Sequence, residues 1–160
     1  MPFKTRFVVY RPADPKRFNG TVVVCWNNVT AGYELFNGES PEILEGGYAF
    51  VGASVQRAGV HGFPNNPQGL AAWDPQRYGE LSITSDEASY DIFAQIGRAV
   101  GANRNRSGLD PLGGLDVKKV IAIGASQSAA RLATYVNAVH PLGAVYDGFL
   151  IHSRGGGAAP

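Results

Sequence analysis

Five residues in the second half of the chain, Gly124-Ala125-Ser126-Gln127-Ser128, constrain its fold more than any other stretch. An apolar, largely β-branched run, Val120-Ile121-Ala122-Ile123, leads into them. The segment that follows repeats Ala129, Leu132, Ala133 and Val136 at i, i+3, i+4 and i+7. A buried strand therefore passes into a helix through a turn of small residues, and His140-Pro141 stops the helix. A serine in such a nucleophile elbow sits on strained backbone with its hydroxyl projecting from the carboxyl edge of the sheet, and the residues two before and two after must be small. Gly124 and Ser128 are small. Ser126 is the candidate nucleophile, set against the plainer reading of a serine that merely closes a strand-to-helix turn.

The strands around it are read in the same way. Phe3 to Tyr10 begins with alternation and ends β-rich, as an amphipathic strand near the sheet edge does. Thr21 to Trp26 holds the unbroken Val22-Val23-Val24, which predicts burial on both faces and hence a parallel sheet covered by helices. Tyr48 to Ser54 and Asp147 to Ile151 complete the set. Ser40-Pro41-Glu42 opens a short helix that Gly46-Gly47 ends. Thr84-Ser85-Asp86-Glu87 fits a capping box for a helix reaching about Val100, with Ala88, Ile92, Ile96 and Ala99 on its buried face. Gln56 to Ser82, rich in Gly, Pro and Asn, is expected to be a long functional loop or lid spanning about 55–85. The order predicts an α/β fold, a mostly parallel twisted sheet with helices on both faces, forming one domain over 1–160.

Composition excludes several function classes. With 14 basic and 13 acidic residues the formal charge is +1, which gives no bulk attraction to nucleic acid or an anionic membrane. No apolar run approaches the ~18 residues of a membrane span, and no leader is visible, so a soluble, cytoplasmic protein is the default expectation. Cys25 stands alone inside an apolar run and is expected to pack as a small core hydrophobe. No residue cluster has metal-ligand spacing, no phosphate-cradling glycine loop is present, and no cofactor is implied.

Motifs in a fixed order carry a family resemblance. They are Arg11-Pro12-Ala13-Asp14-Pro15, Phe18-Asn19-Gly20-Thr21-Val22-Val23-Val24, Trp26-Asn27-Asn28-Val29-Thr30-Ala31-Gly32, Trp73-Asp74-Pro75-Gln76-Arg77-Tyr78-Gly79, Ser89-Tyr90-Asp91-Ile92-Phe93, Gly124-Ala125-Ser126-Gln127-Ser128 and Tyr146-Asp147-Gly148-Phe149. Together they resemble the α/β-hydrolase domain-containing proteins whose elbow reads Gly-x-Ser-Gln-Ser. Ala125 departs from that pattern, which has an acidic residue before the serine. The resemblance implies an α/β-hydrolase-like sheet incomplete on its C-terminal side, this chain being the N-terminal portion of a longer domain. A missing C-terminal segment or an oligomer would then cover the exposed sheet edge.

The implied chemistry is serine hydrolysis of a small-molecule carboxylic ester through an acyl-enzyme. It needs a nucleophile, a base, a group orienting the base and donors for the oxyanion. The backbone N-H of Gln127 is one expected donor, and the loop after Trp26 supplies the other, with Asn28 the candidate and Asn27 its neighbour. Ordinary turn chemistry is the alternative for both asparagines. Ser126, Asp147 and His152 have the superfamily order, but a strand between the last two would hold them roughly 16 Å apart. His152 is therefore expected in a supporting polar role. His61 is read as a loop residue and His140 as a helix terminator. Trp73, Tyr78 and Tyr90 line a substrate pocket or anchor loops. The acid and base are expected to lie outside this chain, and a catalytically inactive binding module or truncated fragment is the rival reading.

Overall fold

A computed structural model of the chain describes residues 2–36, 38–157 and 159. Its strands are β1 (Phe7–Tyr10), β2 (Thr21–Trp26), β3 (Ala49–Ala53), β4 (Lys119–Ala125) and β5 (Gly148–His152). They form one sheet in the order β1-β3-β2-β4-β5. Only β1, at the edge, runs antiparallel to its neighbour. The remaining pairs are parallel, with Cys25 opposite Ile123, Trp26 opposite Ala53 and Ala125 opposite His152. This register gathers the carboxyl ends of four strands along one edge, where α/β sheets place their ligands.

The helices are α1 (Pro41–Glu45), α2 (Arg57–His61), α3 (Leu70–Trp73), α4 (Pro75–Tyr78), α5 (Ser89–Val100) and α6 (Gln127–Thr134). The larger core lies on the face that carries Val22, Val24, Trp26, Val51 and Ala122, packed against Ile92, Phe93 and Ile96 of α5 and Leu132 of α6. Val23, Cys25, Phe50 and Ile123 point to the other face, where Ile43 of α1 packs on them. The unbroken valine run of β2 is thus buried on both sides, and Cys25 is a fully buried core residue that forms no disulfide among the described residues. No helix among the described residues is long and apolar enough to cross a membrane.

Several local expectations need correction. The segment expected as a long loop folds into α2, α3 and α4, and a 3-10 turn at Asp86–Ala88 follows it. Its start signal was present: Asp74 accepts from the Arg77 N-H at 3.0 Å, and Pro75 occupies the first helical position. The cap before α5 is Ser85, whose hydroxyl accepts from the Glu87 N-H, and Ala99 is exposed while Phe93 and Gly97 complete the buried face. After Thr134 the backbone widens to a π-turn over Tyr135–Val139, then tightens to a 3-10 turn at His140–Leu142. The wider turn shifts the phase by one residue, so Tyr135 is fully buried where Val136 was expected.

Candidate active site

β4 delivers the chain to Ser126, which has φ 57° and ψ −115° before α6 begins at Gln127. Residues other than glycine rarely occupy this region, and doing so costs ~1–3 kcal/mol. The surroundings hold the strain in place. The Ser126 N-H donates to the His152 carbonyl at 3.0 Å, and its carbonyl accepts from the Ala130 N-H at 3.2 Å. The buried Ser128 hydroxyl accepts from the Ala125 N-H at 3.0 Å and donates to the Ala125 carbonyl at 2.9 Å. A Cβ on Gly124 would lie 2.9 Å from the Ser128 carbonyl oxygen, so only glycine fits where strand and helix pass. The Ser126 side chain is exposed, and its hydroxyl has no hydrogen-bond partner among the described residues.

Gln127 is the first residue of α6, so its backbone N-H has no intrahelical acceptor and sits at the positive end of the helix dipole. The loop after β2 is organised by Asn28. The backbone of Asn28 pairs with Leu35 in both directions, N-H to carbonyl at 3.1 Å and carbonyl from N-H at 2.8 Å. Its side-chain amide donates to the Ala125 carbonyl at 3.0 Å, and its side-chain oxygen accepts from the Thr30 N-H at 2.9 Å. The Asn28 backbone N-H is therefore committed. The next one, on Val29, has no acceptor among the described residues. Val29, Ser126 and Gln127 line a shared cavity of about 600 Å³ together with Thr30, Gln56 and Asp86. Asn27 is buried and its side-chain amide has no partner among the described residues; it does not line that cavity.

The three histidines are placed apart. His152 ends β5 opposite Ala125, exposed, with its ring beside the Ser153 hydroxyl. It lines, with Ser126, a second cavity of about 920 Å³ whose other walls include Val23, Ile123 and Leu150. Asp147 lies at the opposite end of β5, where its carboxylate accepts from the Val120 N-H at 2.8 Å and from Lys119 at 3.1 Å. Partial burial alone would raise the Asp147 carboxyl, but these two donors outweigh it and hold it below the usual carboxylate range. Asp147 therefore anchors the strand and does not approach His152. His61 accepts from the Ile83 N-H through Nε2, and burial and then Arg57 push its pKa down. His140 packs edge-on against Phe149 beyond the far end of α6.

The aromatics of the mid-chain segment anchor it. Arg6 lies over the Tyr78 ring at 4.9 Å and donates to its hydroxyl at 2.9 Å. Tyr90 packs on Trp26, whereas Trp73 is exposed beside Tyr33. Among the described residues no group of three or more His, Cys, Asp or Glu side chains could hold a metal ion.

Gln56 escaped the reading of the sequence. It follows β3 at the carboxyl edge, is buried, and bonds to Trp26, Asp86 and Gln127. Ser54, not Gln56, directly follows the apolar run of β3, so the local pattern that marks Asn27 after β2 does not mark Gln56.

A strained serine between a central parallel strand and a helix, at the carboxyl edge of a mostly parallel sheet with helices on both faces, defines the α/β-hydrolase class of fold. The chain belongs to the alpha/beta hydrolase domain family, whose model matches residues 1–160. Neither the curated proteins nor the solved structures compared with the chain gave a match.

Proposed function

We propose that the protein is a serine hydrolase of carboxylic esters, with Ser126 forming the acyl-enzyme. The observation that carries this is the backbone of Ser126: a non-glycine residue held at φ 57° with its hydroxyl unpaired at the ligand edge. A serine that served only to close the turn would gain nothing from that strain.

Ser126 Oγ attacks the ester carbonyl carbon as its proton passes to an imidazole. The carbonyl oxygen becomes an oxyanion, which accepts from the N-H groups of Gln127 and Val29 in the shared cavity. Asn28 contributes by tying the Val29 loop to Ala125. Collapse breaks the C-O bond, and the leaving alkoxide takes the proton from the imidazolium. Water, deprotonated by the same imidazole, then attacks the acyl carbon and releases the acid and Ser126. None of the three histidines bonds to the Ser126 hydroxyl in the described arrangement: His61 accepts from the Ile83 N-H and the His152 ring lies beside the Ser153 hydroxyl. His152 supports the turn through its carbonyl.

The lack of a histidine bonded to the Ser126 hydroxyl favours a second reading, a non-catalytic module that binds a small ligand at the same edge. Labelling separates the two. A fluorophosphonate should modify Ser126, and a p-nitrophenyl ester should release a burst of p-nitrophenol. Equal labelling of Ser126→Ala, or ligand binding without turnover, would favour the binding module.

A further inference from the structure

We infer that Gln56 is a positioning residue for the oxyanion site, holding the Gln127 side chain and thereby aiming the Gln127 backbone N-H; this rests on the role proposed for Ser126. Gln56 Oε1 accepts from Trp26 Nε1 at 2.9 Å and from Gln127 Nε2 at 3.0 Å, while its Nε2 donates to Asp86 Oδ2 at 3.0 Å. The direction of this chain is dictated by chemistry. The indole N-H can only donate and an ionised carboxylate can only accept, so the Gln56 amide has one orientation available and must present oxygen to Gln127.

Gln56 is 2% exposed, so water does not substitute for these bonds. Its three partners come from the end of β2, the turn before α5 and the start of α6, and Gln56 itself follows β3. Asp86 is fixed in turn, accepting from the Arg57 N-H at 2.7 Å and lying 3.6 Å from Arg131 of α6. α6 is thus tied to the Gln56–Asp86 pair at Gln127 and, about one turn further on, at Arg131. Helix termini fray because their first N-H groups lack intrahelical partners. An oxyanion donor at the first position of α6 must not fray, and the Gln56 contact restrains Gln127 itself in addition to the bonds that hold Ser126 and Ala125. Gln127 Oε1 is buried without a partner among the described residues, so the bond from its Nε2 to Gln56 is the one that orients the side chain.

The test is a double-mutant cycle. Wild type, Gln56→Met, Gln127→Ala and the double variant are labelled with an alkyl fluorophosphonate. The rate at Ser126 is read by mass spectrometry and folding by thermal melting. Each single variant should label at least about tenfold more slowly. The double should be no slower than the slower single, because the Gln56–Gln127 bond that Gln127→Ala removes is already lost in Gln56→Met. Gln56→Glu combined with Asp86→Asn reverses the bond between those two residues yet leaves an acceptor oxygen for Trp26 and Gln127. It should label within about threefold of wild type. If Gln56→Met does not fold, Gln127→Ala and the reversed pair decide. Wild-type rates in the single variants, multiplicative losses in the double, or no recovery in the reversed pair would overturn the inference while Ser126 still labels. A wild type that labels no faster than Ser126→Ala would overturn the proposed function, and this inference with it.

Discussion

The backbone N-H of Ser126 donates to the carbonyl of His152 at 3.0 Å, which ties the strained turn to the end of the neighbouring strand. The bond explains how a non-glycine residue is kept at φ 57° and ψ −115°. It also couples two features that are 26 residues apart in the chain, the turn after β4 and the last residue of β5.

Strain at Ser126 is expected to appear as a stability cost. Glycine adopts the mirror-β region freely, whereas alanine keeps the Cβ that makes it costly. Ser126→Gly should therefore be more stable than Ser126→Ala by about 1 kcal/mol, the relief of strain exceeding the added freedom of the unfolded chain. Urea denaturation of the two variants measures the difference. Equal midpoints would show that the turn is not strained.

A second expectation concerns the loop between α5 and β4. Arg104 is buried and forks onto Asp110, with Nε to Oδ1 at 2.7 Å and Nη2 to Oδ2 at 3.0 Å, and also donates to the Gly101 and Leu115 carbonyls. Hydrogen bonding to Arg104, opposed by burial and assisted by the Gly114 and Leu112 N-H groups, holds the Asp110 carboxyl well below the usual range. A carboxyl depressed on folding contributes stability that is complete above its unfolded value near ~4 and is lost as pH falls toward the folded value. Asp110→Asn should lower stability at pH 7 and flatten the decline below about pH 4, as urea midpoints across pH will read. Arg104→Met should cost about 3 kcal/mol by leaving Asp110 without its partner.

A third expectation concerns His61, whose Nε2 must be unprotonated to accept from the Ile83 N-H. Burial first, and then Arg57, depress its pKa. For a base held neutral in the fold, stability is complete above the unfolded value near ~6.5 and falls as pH drops below it. His61→Gln keeps an acceptor that does not titrate in this range. Between about pH 6.5 and 5 the wild type should lose stability that the variant retains. Parallel curves for the two proteins would assign the acid sensitivity elsewhere.

What was legible in the sequence follows from how local each cause is. β2 was read with its observed limits because three consecutive valines need burial on both faces, and only a covered parallel strand provides it. Ser126 was visible because the small residues around it answer a local steric demand, now seen as the 2.9 Å clearance at Gly124. The π-turn after α6 was not visible. It arises from packing of Tyr135 among Phe93, Tyr146 and Phe149, which are 42, 11 and 14 residues away in the chain. Gln56 and the shift of the free N-H from Asn28 to Val29 were hidden for the same reason. Both depend on partners, Gln127 and Leu35, that composition and periodicity do not connect.

Asn28 permits a test of that shift. Its side chain makes two bonds of opposite sense, donating to the Ala125 carbonyl and accepting from the Thr30 N-H. Asn28→Asp keeps the shape and the acceptor but removes the donor, and sets a carboxylate oxygen against the Ala125 carbonyl beside the serine. Like charge would also oppose an oxyanion developing at Val29 and Gln127. The variant should lose about 1–3 kcal/mol of stability and label at Ser126 about 100-fold more slowly, the scale of losing an oxyanion donor. Asn28→Ala separates the two effects: it breaks both bonds but adds no charge, so it should match the stability loss with a smaller loss of rate. If both variants label at the wild-type rate while remaining folded, the loop after β2 takes no part in stabilising the oxyanion, and Gln127 would be left as the only donor assigned.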